Sequence, residues 1–279
     1  MKVIKSTKQM QSACLALKKS GQTIGFIPTM GALHHGHLSL IRKARQENDL
    51  VAVSIFVNPR QFGPREDLKK YPRPRAEDLA LCRKSAVDLV FNPDKSGLYP
   101  QNFKTNVYVE ELSQLLCGLS RPEHFRGVTT VVAKLFNLIQ PDSAYFGQKD
   151  AQQAVIIKRM AEDLNFPVKI KVLPIVREND GLAMSSRNIY LNKNQRQDAL
   201  VLNKALGLAR LLIAGGQKDS AKIMAKMRVL IGKKKTAKID YLAIVDMIDL
   251  KPVKKIRKHC LVALAVKIGK TRLIDNIII

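Results

Sequence analysis

Along the first 176 residues, short apolar runs alternate with longer stretches in which hydrophobic positions recur every three or four residues. The short runs lie at Thr23–Pro28, Leu50–Val57, Val87–Asn92, Ala144–Gly147 and Val168–Val176 and read as strands. Between them, Ser6–Lys19, His37–Glu47, Arg75–Ser85, Val128–Ile139 and Ala151–Asn165 carry the helical period. Strands that alternate with helices need crossover connections. The pattern therefore predicts a parallel sheet covered on both faces, an α/β, Rossmann-like doubly wound domain over residues 1–176.

The period changes after a polar stretch at Arg177–Asn192. Asn194–Ala214 reads as one long helix closed by Gly215-Gly216, and Ser220–Ile231 as a second. Three β-like runs follow at Ile239–Asp246, Cys260–Val266 and Arg272–Ile278. This block, residues 177–279, is too short for another doubly wound sheet and predicts a smaller α+β domain.

Composition narrows the class. With 46% hydrophobic residues in a chain of 279, there is apolar material for a large core, which excludes a disordered basic tail. Cys14, Cys82, Cys117 and Cys260 form no C-x-x-C pair, so reduced thiols are expected rather than a disulfide or zinc framework. No apolar run approaches the roughly 20 residues that span a bilayer, and no signal-type apolar block follows Met1–Lys8. A soluble, cytoplasmic protein with no membrane partner is expected. The net charge of +25 leaves three meanings open: nucleic-acid binding, anionic substrates, or a solvated surface.

Four segments carry chemistry. Pro28–His37 follows a strand and precedes a helix, which is where ligands bind in open parallel sheets. Gly31 and Gly36 allow close backbone approach, the helix start offers N–H groups, and His34 and His37 can turn toward one phosphate chain. Imidazole suits that task because it donates hydrogen bonds and titrates near neutrality. The H-x-G-H spacing lacks the glutamate and helical setting of a zinc protease site. Ser54–Pro64 runs from a buried strand into a loop where Gln61 can orient a small polar substrate. Phe146–Gln153 places Lys149 and Asp150 at a helix start, where a lysine opposes the helix dipole and so suggests a phosphate contact. Arg177–Asn188 contains the Asp180-Gly181 turn, then hydroxyls and a guanidinium that can wrap a triphosphate or simply cap the next helix.

Together these segments resemble the H-x-G-H nucleotidyltransferase superfamily and, within it, the pantoate–β-alanine ligase family. P-T-M-G-A-L-H-x-G-H, S-I-F-V-N-P-x-Q-F, F-R-G-V-x-T-V-V, Y-F-G-Q-K-D-x-Q-Q and D-G-L-A-M-S-S-R-N occur in that order, and K-T-R-L-I-D-N near residue 276 is also similar. The resemblance implies a two-step ligation. Pantoate attacks the α-phosphorus of ATP to give pantoyl adenylate and pyrophosphate, and β-alanine then displaces AMP.

Carried over by motif, His34 and His37 contact the phosphates, with His37 the family's proton donor. Lys149 stabilises the crowded phosphorus, and Ser185, Ser186 and Arg187 the departing pyrophosphate. Gly31, Ala32, Leu33, His35, Gly36 and Gln148 complete the ATP-binding stretches, and Met30, Gly147, Asp150, Val176 and Met184 line adenosine. Gln61 and Gln153 hold pantoate, with Gln61 also near β-alanine. Mg²⁺ would bridge the ATP phosphates, with Asp78 as its protein partner. The family resemblance also implies a homodimer, and a second domain that closes over ATP. One departure is Pro74, where the family has Thr after Y-P-R, which unsettles the roles of Glu77 and Asp78.

Two other classes compete. A plain nucleotidylyltransferase shares H-x-G-H but does not call for the Gln61 and Gln153 segments. A nucleic-acid-binding protein would use the charge, yet Trp is absent and aromatics total 5%, which leaves few stacking platforms. Residues 1–175 hold 26 Lys+Arg against 15 Asp+Glu, and residues 176–279 hold 22 against 8. Much of the second excess lies in Lys218–Lys238 and Lys251–Lys258, away from the motifs. It reads as a solvated surface, with no specific nucleic-acid partner expected.

Overall fold

A computed structural model of the chain describes residues 1–64 and 66–279. Six parallel strands form the first sheet: β1 (Lys2–Ile4), β2 (Ile24–Thr29), β3 (Leu50–Ile55), β4 (Leu89–Phe91), β5 (Ser143–Gly147) and β6 (Lys169–Leu173). Their order across the sheet is β1-β4-β3-β2-β5-β6. All five neighbouring pairs are parallel. The doubly wound expectation holds, with one added edge strand, β1, whose three residues are too few to show a period.

Helices connect the strands: α1 (Thr7–Lys19), α2 (His35–Glu47), α3 (Arg75–Lys84), the short α4 (Lys95–Leu98) and α5 (Cys117–Ser120), α6 (His124–Ile139) and α7 (Ala151–Asp163). Side-chain alternation along the strands divides two cores. Phe26, Ala52, Leu89 and Phe91 pack on one face with Met10, Phe136 and Ile157. Ile27, Val51, Val53 and Val90 pack on the other with Ile41 and Ala44 of α2. A sheet buried on both faces shows continuous apolar runs, as the sequence does here.

The chain moves outward from β2 through β3 to β4, then returns to place β5 on the other side of β2. At this switch β2 and β5 separate. Only Gly25 and Phe26 of β2 pair with β5, whereas pairing with β3 continues to Thr29. Pro28 is tolerated in a central strand for that reason: no β5 residue is opposite it to miss its N–H.

The rest of the chain holds α8 (Lys193–Ala199), α9 (Val201–Ala214), α10 (Ser220–Gly232) and an antiparallel sheet of β7 (Ala237–Asp246), β8 (Cys260–Ile268) and β9 (Thr271–Ile278). The expected single helix over Asn194–Ala214 is two. Asn192 and Gln195 close a capping box that starts α8, and the chain turns at Leu200 before α9. The three strands match expectation within three residues at each end. The α+β sheet has two apolar faces. Cys260, Val262 and Leu264 of β8 pack on Leu202, Leu206, Ile223 and Met227 of α9 and α10. Leu261 and Ala263 of the same strand, with Val245 of β7, join the core of the first sheet. All four cysteines are buried and free, and no described helix is long and apolar enough to cross a membrane.

The connection between α4 and α6 is irregular, with Glu111 and Leu116 at positive φ (53° and 46°). Gln152 of α7 pins it. Its Nε2 donates to the carbonyls of Leu112 (3.0 Å) and Leu115 (2.7 Å), and its Oε1 accepts from the Cys117 amide (3.0 Å). Gln152→Leu keeps the volume and removes all three bonds, leaving buried backbone groups unpaired. The expected result is a loss of about 2–4 kcal/mol of unfolding free energy in urea titration, against well under 1 kcal/mol for an exposed helix substitution such as Lys158→Ala.

Candidate active site

The segment after β2 forms a tight cradle. Thr29 Oγ1 donates to the Ser54 carbonyl (2.7 Å) and accepts from Gly31 N (3.1 Å). Gly31 lies at φ +80°, and a Cβ there would sit 2.8 Å from Asp78 Oδ2, so both backbone angle and space require glycine. Asp78, 1% exposed, accepts the amides of Ala32 (Oδ2, 2.9 Å) and Leu33 (Oδ1, 2.7 Å). Ala32 is thereby held at φ 51°, unusual for a residue with a Cβ. Burial pushes the Asp78 carboxyl up and the two amides pull it back, with a net rise.

Asp78, the expected partner of Mg²⁺, is held in the structure by the loop itself. Each of its oxygens accepts a backbone amide and the side chain is not part of the cleft lining, so it positions the loop.

His34 caps α2, with Nδ1 accepting from Gly36 N (3.1 Å), and His37 Nδ1 accepts from His34 N (3.3 Å). A ring nitrogen that accepts cannot carry the proton, so in both neutral rings the hydrogen lies on Nε2. The rings stand 4.1 Å apart between centroids. Two helix-start amides that the sequence offered to an anion are therefore taken by the imidazoles, which present Nε2–H in their place. Neither ring titrates near neutrality as expected. Burial and then Lys149 lower His34 to about 4, and burial, His34 and Lys149 hold His37 well below the usual imidazole range.

Across the switch point, Lys149 and Asp150 lie in a single 3₁₀ turn, Gln148–Asp150, ahead of α7 rather than within its first turn. Lys149 Nζ is 3.2 Å from Asp150 Oδ2. Asn276 of β9 holds this turn by donating to the carbonyls of Gln148 (2.9 Å) and Lys149 (3.1 Å), while Gln148 Nε2 donates to Asn276 Oδ1 (3.1 Å).

The fourth segment folds back on itself. Met184 N donates to the Val176 carbonyl (3.0 Å), which brings Met184 against Gly36 of the histidine motif. Arg187 makes a two-pronged pair with Asp67 (2.8 and 3.0 Å) and lies 5.5 Å from the Tyr71 ring centroid. Ser186 Oγ and Tyr71 Oη are 3.0 Å apart.

The second segment is locked by tight packing. A Cβ on Gly127 of α6 would come 2.2 Å from the Arg60 carbonyl, so the Pro59–Gln61 turn sits directly on the helix. Asn58 donates to the Gly127 carbonyl (2.9 Å) and to Gln61 Oε1 (3.2 Å), and Gln61 Nε2 lies 2.9 Å from Met30 Sδ.

These groups line one cleft of about 240 Å³ at the β2/β5 switch point. Met30, His34, Gly36, His37 and Gln61 lie on one side. Gly147, Lys149, Asp150 and Gln153 lie on a second, and Val176 with Met184, Ser185, Ser186 and Arg187 on a third. Gly31 and Leu33 are buried behind the loop with Asp78, His35 is exposed on the first turn of α2, and Gln148 faces β9, so these shape the cleft from outside it. The structure adds Tyr71, Arg121 and His124 to the lining. Arg121 closes α5 and His124 opens α6, so no shared helical period marked the pair in the sequence.

The sequence matches the pantoate-beta-alanine ligase family over residues 2–278. The pantothenate synthetase of Heliobacterium modesticaldum is 53% identical over 279 residues, covering 100% of this chain and 99% of its own length. That of Caldicellulosiruptor bescii is 51% identical with the same coverage. Among solved structures, the pantothenate synthetase of Thermus thermophilus superposes with a TM-score of 0.95 at 43% identity, covering 99% of each chain. The Francisella tularensis ligase, solved with beta-gamma ATP and beta-alanine, gives 0.81 at 37% identity, covering 100% of this chain and 97% of that one. Alike in sequence along its whole length and alike in fold, the chain belongs to the pantoate–β-alanine ligase family.

Proposed function

We propose that this cleft condenses pantoate with β-alanine, using ATP and releasing AMP and pyrophosphate through a bound pantoyl adenylate. The observation that carries the reading is the convergence of two neutral Nε2–H donors, one lysine and the Ser185–Arg187 run on a cleft that also holds Gln61 and Gln153. A plain nucleotidylyltransferase has no use for the last pair.

In the first step a pantoate carboxylate oxygen attacks the α-phosphorus, and the bond to pyrophosphate breaks with its electron pair on the leaving oxygen. His34 and His37 donate to the phosphate oxygens with fixed orientation, since their Nδ1 atoms are already committed to backbone amides. Preorganised donors of this kind need no rearrangement as charge builds. Lys149 meets the developing charge, and Arg187 exchanges part of its Asp67 pairing for the departing pyrophosphate. Met30, Gly147, Asp150, Val176 and Met184 form the adenosine wall, and Gln61 with Gln153 holds pantoate. In the second step the amine nitrogen of β-alanine attacks the acyl carbon, and AMP leaves with the ester oxygen.

Among the described residues no group of three or more His, Cys, Asp or Glu is arranged to hold a metal. Mg²⁺ accompanying ATP would be held mainly by phosphate and water oxygens, as suits a hard ion that sheds water reluctantly, and would supply charge neutralisation there; no step here is routed through it.

Incubation with ATP, pantoate and β-alanine is expected to yield AMP and pantothenate, and omission of β-alanine to leave bound adenylate. If no AMP forms with all three present, the reading fails. His37→Ala is expected to lower adenylate formation by about 10²–10³-fold while the melting temperature shifts by only a few degrees. A collapse of the fold would make His37 structural. Asp78→Asn sets an amide N–H against a backbone N–H, so it should cost about 1–3 kcal/mol of stability and raise the KM for ATP. Excess Mg²⁺ should not restore that KM; restoration would return Asp78 to the metal.

A further inference from the structure

Beside the main cleft lies a smaller cavity of about 50 Å³. His124, Lys149, Asp150 and Gln153 line both, so the two communicate at the pantoate end. The wall the two share carries both signs of charge, Arg121 and Arg272 against Asp150 and Asp275. That mixture suits a small zwitterion better than a phosphate.

Most charges there are already paired. Arg121 binds Glu66 in two-pronged fashion (2.7 and 2.6 Å) and also donates to the Gln61 carbonyl (3.1 Å). Arg272 Nε donates to Asp240 (2.9 Å), but its buried Nη2 lacks an aligned acceptor. His124 differs. Its Nδ1 is 2.8 Å from the Gln61 carbonyl oxygen, and a carbonyl can only accept. The proton of the neutral ring therefore sits on Nδ1, leaving Nε2 with a lone pair. No hydrogen bond is made to Nε2 within the described residues, and the ring borders both cavities.

His34 and His37 present the opposite face, since their Nδ1 atoms accept and their Nε2 atoms donate. Donors suit phosphate. A lone pair suits an N–H. Burial, then Arg121, lowers His124 to about 3, which keeps that lone pair free.

We infer that His124 Nε2 accepts an N–H of the incoming amine and so orients β-alanine from the smaller cavity toward the acyl adenylate. The inference rests on the ligase reading above. It also gives the Gln61 backbone a part in the second step, because that carbonyl fixes the tautomer.

His124→Asn and His124→Gln separate the two ring nitrogens. Asn places an amide N–H near the Nδ1 position and can keep the bond to Gln61, but has nothing at the Nε2 position. The measurements are the KM for β-alanine in the full reaction and pantoate-dependent ATP–pyrophosphate exchange without β-alanine. For His124→Asn we expect the KM for β-alanine to rise at least tenfold, with exchange within about threefold of the parent. His124→Gln, which returns an acceptor near Nε2, should recover most of that KM and shift the KM for pantoate instead. An unchanged KM for β-alanine in His124→Asn overturns the inference. So does a parallel loss of exchange in both variants, which would make His124 only a prop for Gln61. Absence of exchange in the parent protein would instead sink the ligase reading.

Discussion

The nucleotide end of this protein depends on one buried carboxylate. Asp78 lies in α3, far along the chain from the histidine motif, yet its two oxygens hold the amides of Ala32 and Leu33. Those bonds keep Ala32 in a left-handed conformation and set the point at which α2 begins. From that start follow the His34 cap and the His37 contact to the His34 amide, and from those follow the tautomers. A carboxylate outside the cleft lining thus decides which way two imidazoles offer their protons.

Much of this was legible in the sequence. The apolar runs located five of the six parallel strands, because residues buried on both faces leave no polar interruption to confuse the period. The glycines and histidines of the H-x-G-H segment were legible because their spacing is local. What was not legible is what depends on partners distant in the chain. Asp78 carries the same signal as any helix-start acid, and only its closeness to Gly31 separates a loop clamp from a metal ligand. The neutral state of His34 and His37 was hidden for the same reason, since burial and Lys149 set it. The division of Asn194–Ala214 at Leu200 was missed because Leu200 keeps near-helical angles and no side chain caps the break, so no residue type marks it.

The positive charge takes a modest place in this picture. At the cleft, Lys149, Arg121, Arg187 and Arg272 are each beside a carboxylate, so the site is balanced before any ligand arrives. Anionic substrates then enter by exchange of partners more than by attraction to bare cations.

Strand β8 has a wider consequence. Its odd-numbered side, Leu261 and Ala263, belongs to the core beneath the nucleotide site, and its even-numbered side, Val262 and Leu264, to the helices α9 and α10. One ribbon is thus a party wall between two hydrophobic interiors, and neither can be opened without stripping a face from the other. Loss of packing on one side of the ribbon therefore removes support from the other. A lesion beneath α10 is thus expected to loosen the wall behind the cleft as well, even with every catalytic group intact.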